Sequence, residues 1–184
     1  MPRTAKFSKE EIMKKSVDFI KQYSYSKLTV RELAKYIGCS TQPIFKNYEN
    51  FELYKNDLKL YLRKDYEEFI YKYIDERNYL YTISFAYTLY AKKEPHIFSS
   101  LFMTELAGTR TIEEVLNTNR NMLTIEAMMK QYNISLEKAK QVYRDVRFYT
   151  HGIATQLCVK SIRLTDKEIE NLIKDNIDMN LRRI

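Results

Sequence analysis

Leu28–Asn50 reads LTVRELAKYIGCSTQPIFKNYEN, and its spacing predicts a short helix, a glycine turn and a second short helix. Thr29 followed by Glu32 has the form of a capping box, in which the hydroxyl accepts from the third helical N–H and the carboxylate from the N–H of the cap residue. Val30, Leu33, Ala34 and Ile37 recur at helical spacing and make one apolar face, leaving Arg31 and Lys35 outside it. Gly38 stops the helix, because glycine enters the left-handed conformation without steric cost. Cys39 is small enough to be buried in the turn, and Ser40 stands where it can cap a second helix packed through Ile44, Phe45 and Tyr48. Thr41, Gln42, Lys46 and Asn47 then occupy the other side.

Those residue types suit the DNA major groove. Lysine and asparagine hold phosphates, and glutamine makes a bidentate pair with the adenine edge. Pro43 is tolerable in a first helical turn and offers an apolar surface to a thymine methyl. An ordinary helical hairpin with solvated polar residues would share the periodicity. It would not need the cap, the small turn residue, the glycine and the second cap in register.

Charge is an independent argument. Residues 1–48 hold ten Lys/Arg against four Asp/Glu, whereas the remaining chain holds 21 against 20. Nearly all of the net +7 therefore sits on the candidate reading segment. A polyanion is drawn to that end and released by salt, because each neutralised phosphate frees condensed counterions. Arg3 and Lys6 would extend the contact as an arm.

The chain resembles the tetracycline-repressor-like (TetR/AcrR) bacterial transcriptional regulators from about Ser8 to Leu58, through a leading amphipathic helix, the segments TVRELAKYIGCS and IFKNYEN, and the start of a long fourth helix. The resemblance implies that Thr29 and Tyr48 touch phosphates, and that Thr41, Gln42, Pro43 and Lys46 face bases or backbone; Arg31, Ser40, Phe45 and Asn47 complete the candidate DNA-binding set. Phe45 stands where the family usually has tyrosine, Cys39 where it has valine, and Phe51 where a lysine is common. The segment FYTHGIATQLCV, Phe148–Val159, resembles an element of the family's penultimate helix. The family forms a symmetric dimer through its last two helices, for which Ile153, Leu157, Ile169, Leu172, Ile173 and Ile177 are the candidates here. A mid-helix glycine costs about 1 kcal/mol relative to alanine, so Gly152 suggests close approach by a partner helix or a ligand.

At 184 residues with 45% hydrophobic content, three glycines and three prolines, the chain can bury a core but has little turn chemistry for sheets. The prediction is an all-α protein: a helix-turn-helix DNA-binding domain over 1–49 and a helical ligand-binding and dimerisation domain over 50–184. Ser8 with Glu11 opens the first helix. Asn50 caps a long one running into the seventies. Residues 79–91 are apolar nearly all round, which marks a helix buried on most sides. Pro95 begins a short helix to about Leu106. Thr111 with Glu114 starts one lasting to about Tyr132, Ser135 one reaching about Leu164, and Thr165 with Glu168 the last. The longest charge-free run, Asn78–Ala91, is shorter than the ~18 residues of a spanning helix. No secretory signal is read, and two distant cysteines form neither a metal cluster nor a disulfide framework, which fits a reducing cytoplasm.

His151 and Cys158 share a helix face but lie roughly 10.5 Å apart along its axis, too far for one metal. No catalytic constellation, cofactor loop or metal set is read, so the chain is not expected to be an enzyme. Aromatic and thioether side chains from several helices, Tyr66, Phe69, Tyr87, Phe102, Met103, Met122, Met129, Tyr149 and His151, are the candidate lining of a small-molecule pocket, with most such residues expected to be core. Glu105 or Glu126, if directed inward, would favour a cationic ligand. The expected function is a cytoplasmic homodimeric repressor released from operator DNA by a small hydrophobic or cationic effector. A helical adaptor without sequence-specific DNA binding is the alternative.

Overall fold

In the computed structural model, which describes residues 7–104 and 108–182, every described regular element is helical. Arg3, Lys6 and Glu105 lie outside those residues. The chain divides into two compact units, residues 1–66 with 94–107, and residues 67–93 with 108–184.

The first unit begins with α1 (Lys9–Tyr23), opened by the complete Ser8–Glu11 capping box and burying Ile12, Met13, Val17, Phe19 and Ile20. A 3-10 turn (Tyr25–Lys27) leads to α2 (Val30–Ile37) and α3 (Gln42–Asn47), both packed on α1. α4 (Phe51–Tyr71) starts with the Leu53 N–H donating to Asn50 Oδ1 at 2.9 Å, and only its residues up to Tyr66 belong to this unit. α6 (Pro95–Phe102) also packs on α1. Inside, the Tyr54 hydroxyl donates to Ser16 Oγ at 2.8 Å, and Ser16 donates in turn to the Ile12 carbonyl at 2.7 Å. A tyrosine with no exposed surface is thereby tied to the first helix.

The second unit is built on α5 (Tyr79–Lys93), α8 (Asn119–Tyr132), α9 (Leu136–Cys158) and α10 (Asp166–Arg182), with α5 against α8, α9 and α10. Its core joins Leu80, Ile125, Met128, Val142, Val146 and Ile173, among others. As the composition of 79–91 requires, α5 buries residues on most sides.

Three expected helices differ, the first being α6, which ends at Phe102 rather than near Leu106. The helix from Thr111 to Tyr132 is broken into α7 (Ile112–Leu116) and α8, because the Val115 carbonyl accepts from Thr118 Oγ1 at 3.2 Å and Asn121 Nδ2 at 2.5 Å. Side chains that bond nearby backbone compete with the helical ladder. α9 ends at Cys158, six residues before the expected stop, in a turn where Lys160 takes a φ of 58°. No glycine signals that turn.

Candidate functional site

Gly38, with a φ of 79°, donates to the Ala34 and Lys35 carbonyls, and Cys39 N–H also donates to Ala34. This αL closure reverses the chain between α2 and α3, as the sequence demanded. The caps are simpler than expected. Thr29 Oγ1 accepts from the Glu32 N–H at 3.1 Å, but the reciprocal glutamate bond of a capping box is not among the bonds of α2. Thr41, not Ser40, is the cap residue of α3, and its side chain makes no cap bond.

What α2 and α3 present to solvent is then clear. Thr29, Arg31, Ser40, Gln42, Phe45 and Lys46 are exposed, and Thr41 is half-buried. Phe45 is 52% exposed, so it is a surface aromatic rather than the packing residue expected, while Ile44 plugs the core from the middle of α3. Three candidates are directed elsewhere. Pro43 is buried against the unit's interior and has no free apolar face for a thymine methyl. Asn47 Nδ2 donates to the carbonyls of Pro43 at 2.8 Å and Phe7 at 3.2 Å. With both amide hydrogens committed, only an acceptor oxygen remains, which a phosphate cannot use. Tyr48 is 5% exposed with a buried hydroxyl, which corrects its assignment to a phosphate. Its ring packs edge-on against Tyr54 at 5.4 Å and beneath the Lys9 ammonium at 4.8 Å. Burial and then the nearby Asp57 charge push its hydroxyl well above the ordinary tyrosine range. Phe51, in the place of the family's lysine, stacks on Tyr54 at 5.1 Å.

The candidate ligand residues divide between the units. In the first, Tyr66 meets Phe102 edge-on at 5.2 Å, while Met103 is exposed. In the second, Phe69 packs on Tyr90 at 5.1 Å, Met122 and Met129 lie against the apolar core, and the Tyr87 hydroxyl lies 2.8 Å from His151 Nδ1. Burial, then the charge of Arg147, holds His151 below its ordinary pKa and so favours the neutral ring. Tyr149 is 37% exposed on the outside of α9. Glu126 is exposed, so it offers no inward carboxylate to a cation, and Glu105 lies outside the described residues. Among the described residues no group of three or more His, Cys, Asp or Glu is arranged to hold a metal, and no helix is long and apolar enough to cross a membrane.

The expected dimer stripe is internal. Ile153, Leu157, Ile169, Ile173 and Ile177 are all buried within this chain's own core, and Leu172 packs against it. The outward face of α9 carries Phe148 at 60% exposure, Gly152, Thr155 and Val159 at 58%, spaced four, three and four residues apart. A Cβ built on Gly152 would meet no atom within 4 Å, so nothing in the chain itself calls for glycine there.

No family model matches the chain, and no curated protein matches it in sequence. A solved structure of a TetR variant from Acinetobacter baumannii AYE, in complex with minocycline, is similar over 97% of this chain and 96% of that one, with a TM-score of 0.55 and 16% identity. Helix order, the αL turn between α2 and α3, and this end-to-end correspondence lead to one conclusion: the chain has the TetR-like fold, a helix-turn-helix unit followed by an all-helical domain.

Proposed function

We propose that this protein is a DNA-binding transcriptional regulator of the TetR type, a homodimeric cytoplasmic repressor rather than an enzyme, released from its operator by a small molecule. Residues 1–49 read DNA, and residues 50–184 carry the effector site and the dimer face. The observation that carries this reading is the surface of α2 and α3. Arg31, Gln42, Phe45 and Lys46 are exposed together around a turn closed by Gly38, on the segment that holds nearly all of the chain's net positive charge. Lys46 and Arg31 supply phosphate contacts, and Gln42 reads an adenine edge. With Pro43 buried, the apolar base contact passes to Phe45. The likeness to a TetR variant crystallised in complex with minocycline supports a small-molecule effector in the second unit. The second copy covers the outward face of α9, which gives Gly152 a reason to be glycine and two-fold symmetry to the reading heads.

Selection from a randomised duplex pool, followed by footprinting of the enriched sequence, tests the assignment. Gln42→Ala should lose discrimination at one position by ~1 to 3 kcal/mol, and Lys46→Ala should weaken all duplexes evenly and flatten the salt slope by about one. Enrichment of no duplex, or variants that bind like wild type across salt, would favour the helical adaptor.

A further inference from the structure

Tyr143, Arg147 and His151 stand four residues apart on α9, so they rise one above another on a single face, about 5.4 Å per turn. At one end Tyr143 is buried and its hydroxyl donates to Asn121 Oδ1 at 2.7 Å. At the other, His151 Nδ1 lies 2.8 Å from the Tyr87 hydroxyl of α5. Half-buried Arg147 lies between them, close enough for its charge to act on both neighbours.

What Arg147 lacks among the described residues is a carboxylate. The acids of this region have their own cations: Asp145 pairs with Arg144 at 2.7 Å, and Glu67 pairs with Arg120 at 3.0 Å. A guanidinium stays charged at any physiological pH, and partial burial without a counter-ion is costly. A carboxylate brought by a ligand would meet two parallel N–H donors of the fork.

We infer that the effector is a small organic acid, whose carboxylate pairs with Arg147 and hydrogen-bonds to the Tyr87–His151 pair while its apolar body lies among aromatic and methionine side chains. This deepens the ligand-gated reading above and rests on it. It replaces the hydrophobic or cationic effector expected from sequence. A carboxylate only accepts, so the pair contributes through an N–H or O–H: the His151 Nε2–H where the Tyr87 hydroxyl donates to Nδ1, or the Tyr87 hydroxyl where Nδ1–H donates to it.

The test uses the full chain and a panel in which charge alone varies: benzoate, phenylacetate and octanoate, each with its neutral amide and its amine. Binding is followed by thermal stabilisation and by ring NMR of histidine, since the chain holds only His96 and His151. His96 is exposed in the first unit and serves as the internal control. Carboxylates should stabilise the protein and move the His151 resonances but not those of His96, with amides and amines binding roughly thirtyfold more weakly or worse, the low end for removing one partner of a buried charge pair. Arg147→Gln should abolish the preference and Arg147→Lys keep part of it. Should Arg147→Gln fail to fold, the wild-type comparison of acid, amide and amine still decides. Charge-blind binding, or undiminished carboxylate binding by Arg147→Gln, overturns the acid assignment alone. Absence of any response across the whole panel overturns the ligand-gated reading with it.

Discussion

Gly152 gives the sharpest handle on assembly, because its local environment is open and its cost is known. A mid-helix glycine is about 1 kcal/mol worse than alanine. A Cβ at this position meets nothing within 4 Å in the chain itself. Gly152→Ala should therefore stabilise the isolated chain by about 1 kcal/mol, or roughly 2 to 4 °C in a protein of this size. Gly152→Leu should be neutral or stabilising within one copy for the same reason. Across a two-fold interface the outcome reverses. Overpacking costs about 1 to 3 kcal/mol per inserted side chain, and symmetry brings two, so the dimer should weaken by about 2 to 6 kcal/mol, on the order of thirtyfold to ten-thousandfold in Kd. Sedimentation across a concentration series measures the dimer constant, and melting below that constant measures the single chain. A Gly152→Leu protein with the wild-type dimer constant would show that the Phe148–Val159 face is not where copies meet. A destabilised Gly152→Ala monomer would show that the space beside α9 is not open.

Three further outcomes can be measured. Tyr54→Phe removes a buried donor from Ser16 Oγ and should cost about 1 kcal/mol in denaturant unfolding, whereas an unchanged midpoint would mean that the bond contributes nothing. His151 has a folded pKa below the ordinary value of about 6.5, so the unfolded chain binds more protons between the two values and stability should fall as pH drops through about 6.5. In His151→Gln that segment of the stability profile should flatten, and a variant profile identical to wild type would refute it. If Phe45 sits on a thymine methyl, replacing that thymine by deoxyuridine in the selected duplex should weaken wild-type binding by about 0.8 kcal/mol and leave Phe45→Ala unaffected, and equal sensitivity of both proteins would remove the contact.

The helices legible in the sequence were those whose ends are decided within a few residues. Ser8 with Glu11, Asn50, and Thr165 with Glu168 each satisfy donors three residues away, and Gly38 turns the chain by its own φ. Such signals need no knowledge of what lies across the core. The helix ends that were misread have a different cause. Val115 is capped by side chains up to six residues on, and Lys160 accepts a left-handed φ that its residue type does not advertise.

Orientation was the property only tertiary structure decided. Periodicity correctly marked the apolar residues of α9 and α10, yet an apolar stripe buried under the chain's own helices has the same spacing as one awaiting a second copy. The packing of α5, α8 and α10 on α9 assigns Ile153, Leu157 and Ile169 to the interior and leaves Phe148, Gly152 and Val159 outside. The same holds at the reading helix. Residue types made Pro43 and Asn47 plausible DNA contacts, and the family resemblance added Tyr48, until burial, the Phe7 carbonyl and the Tyr54 ring claimed them. Arg147 drew no notice in the sequence because its meaning lies in having no carboxylate partner among the described residues, and which charges find partners is settled only when distant helices meet.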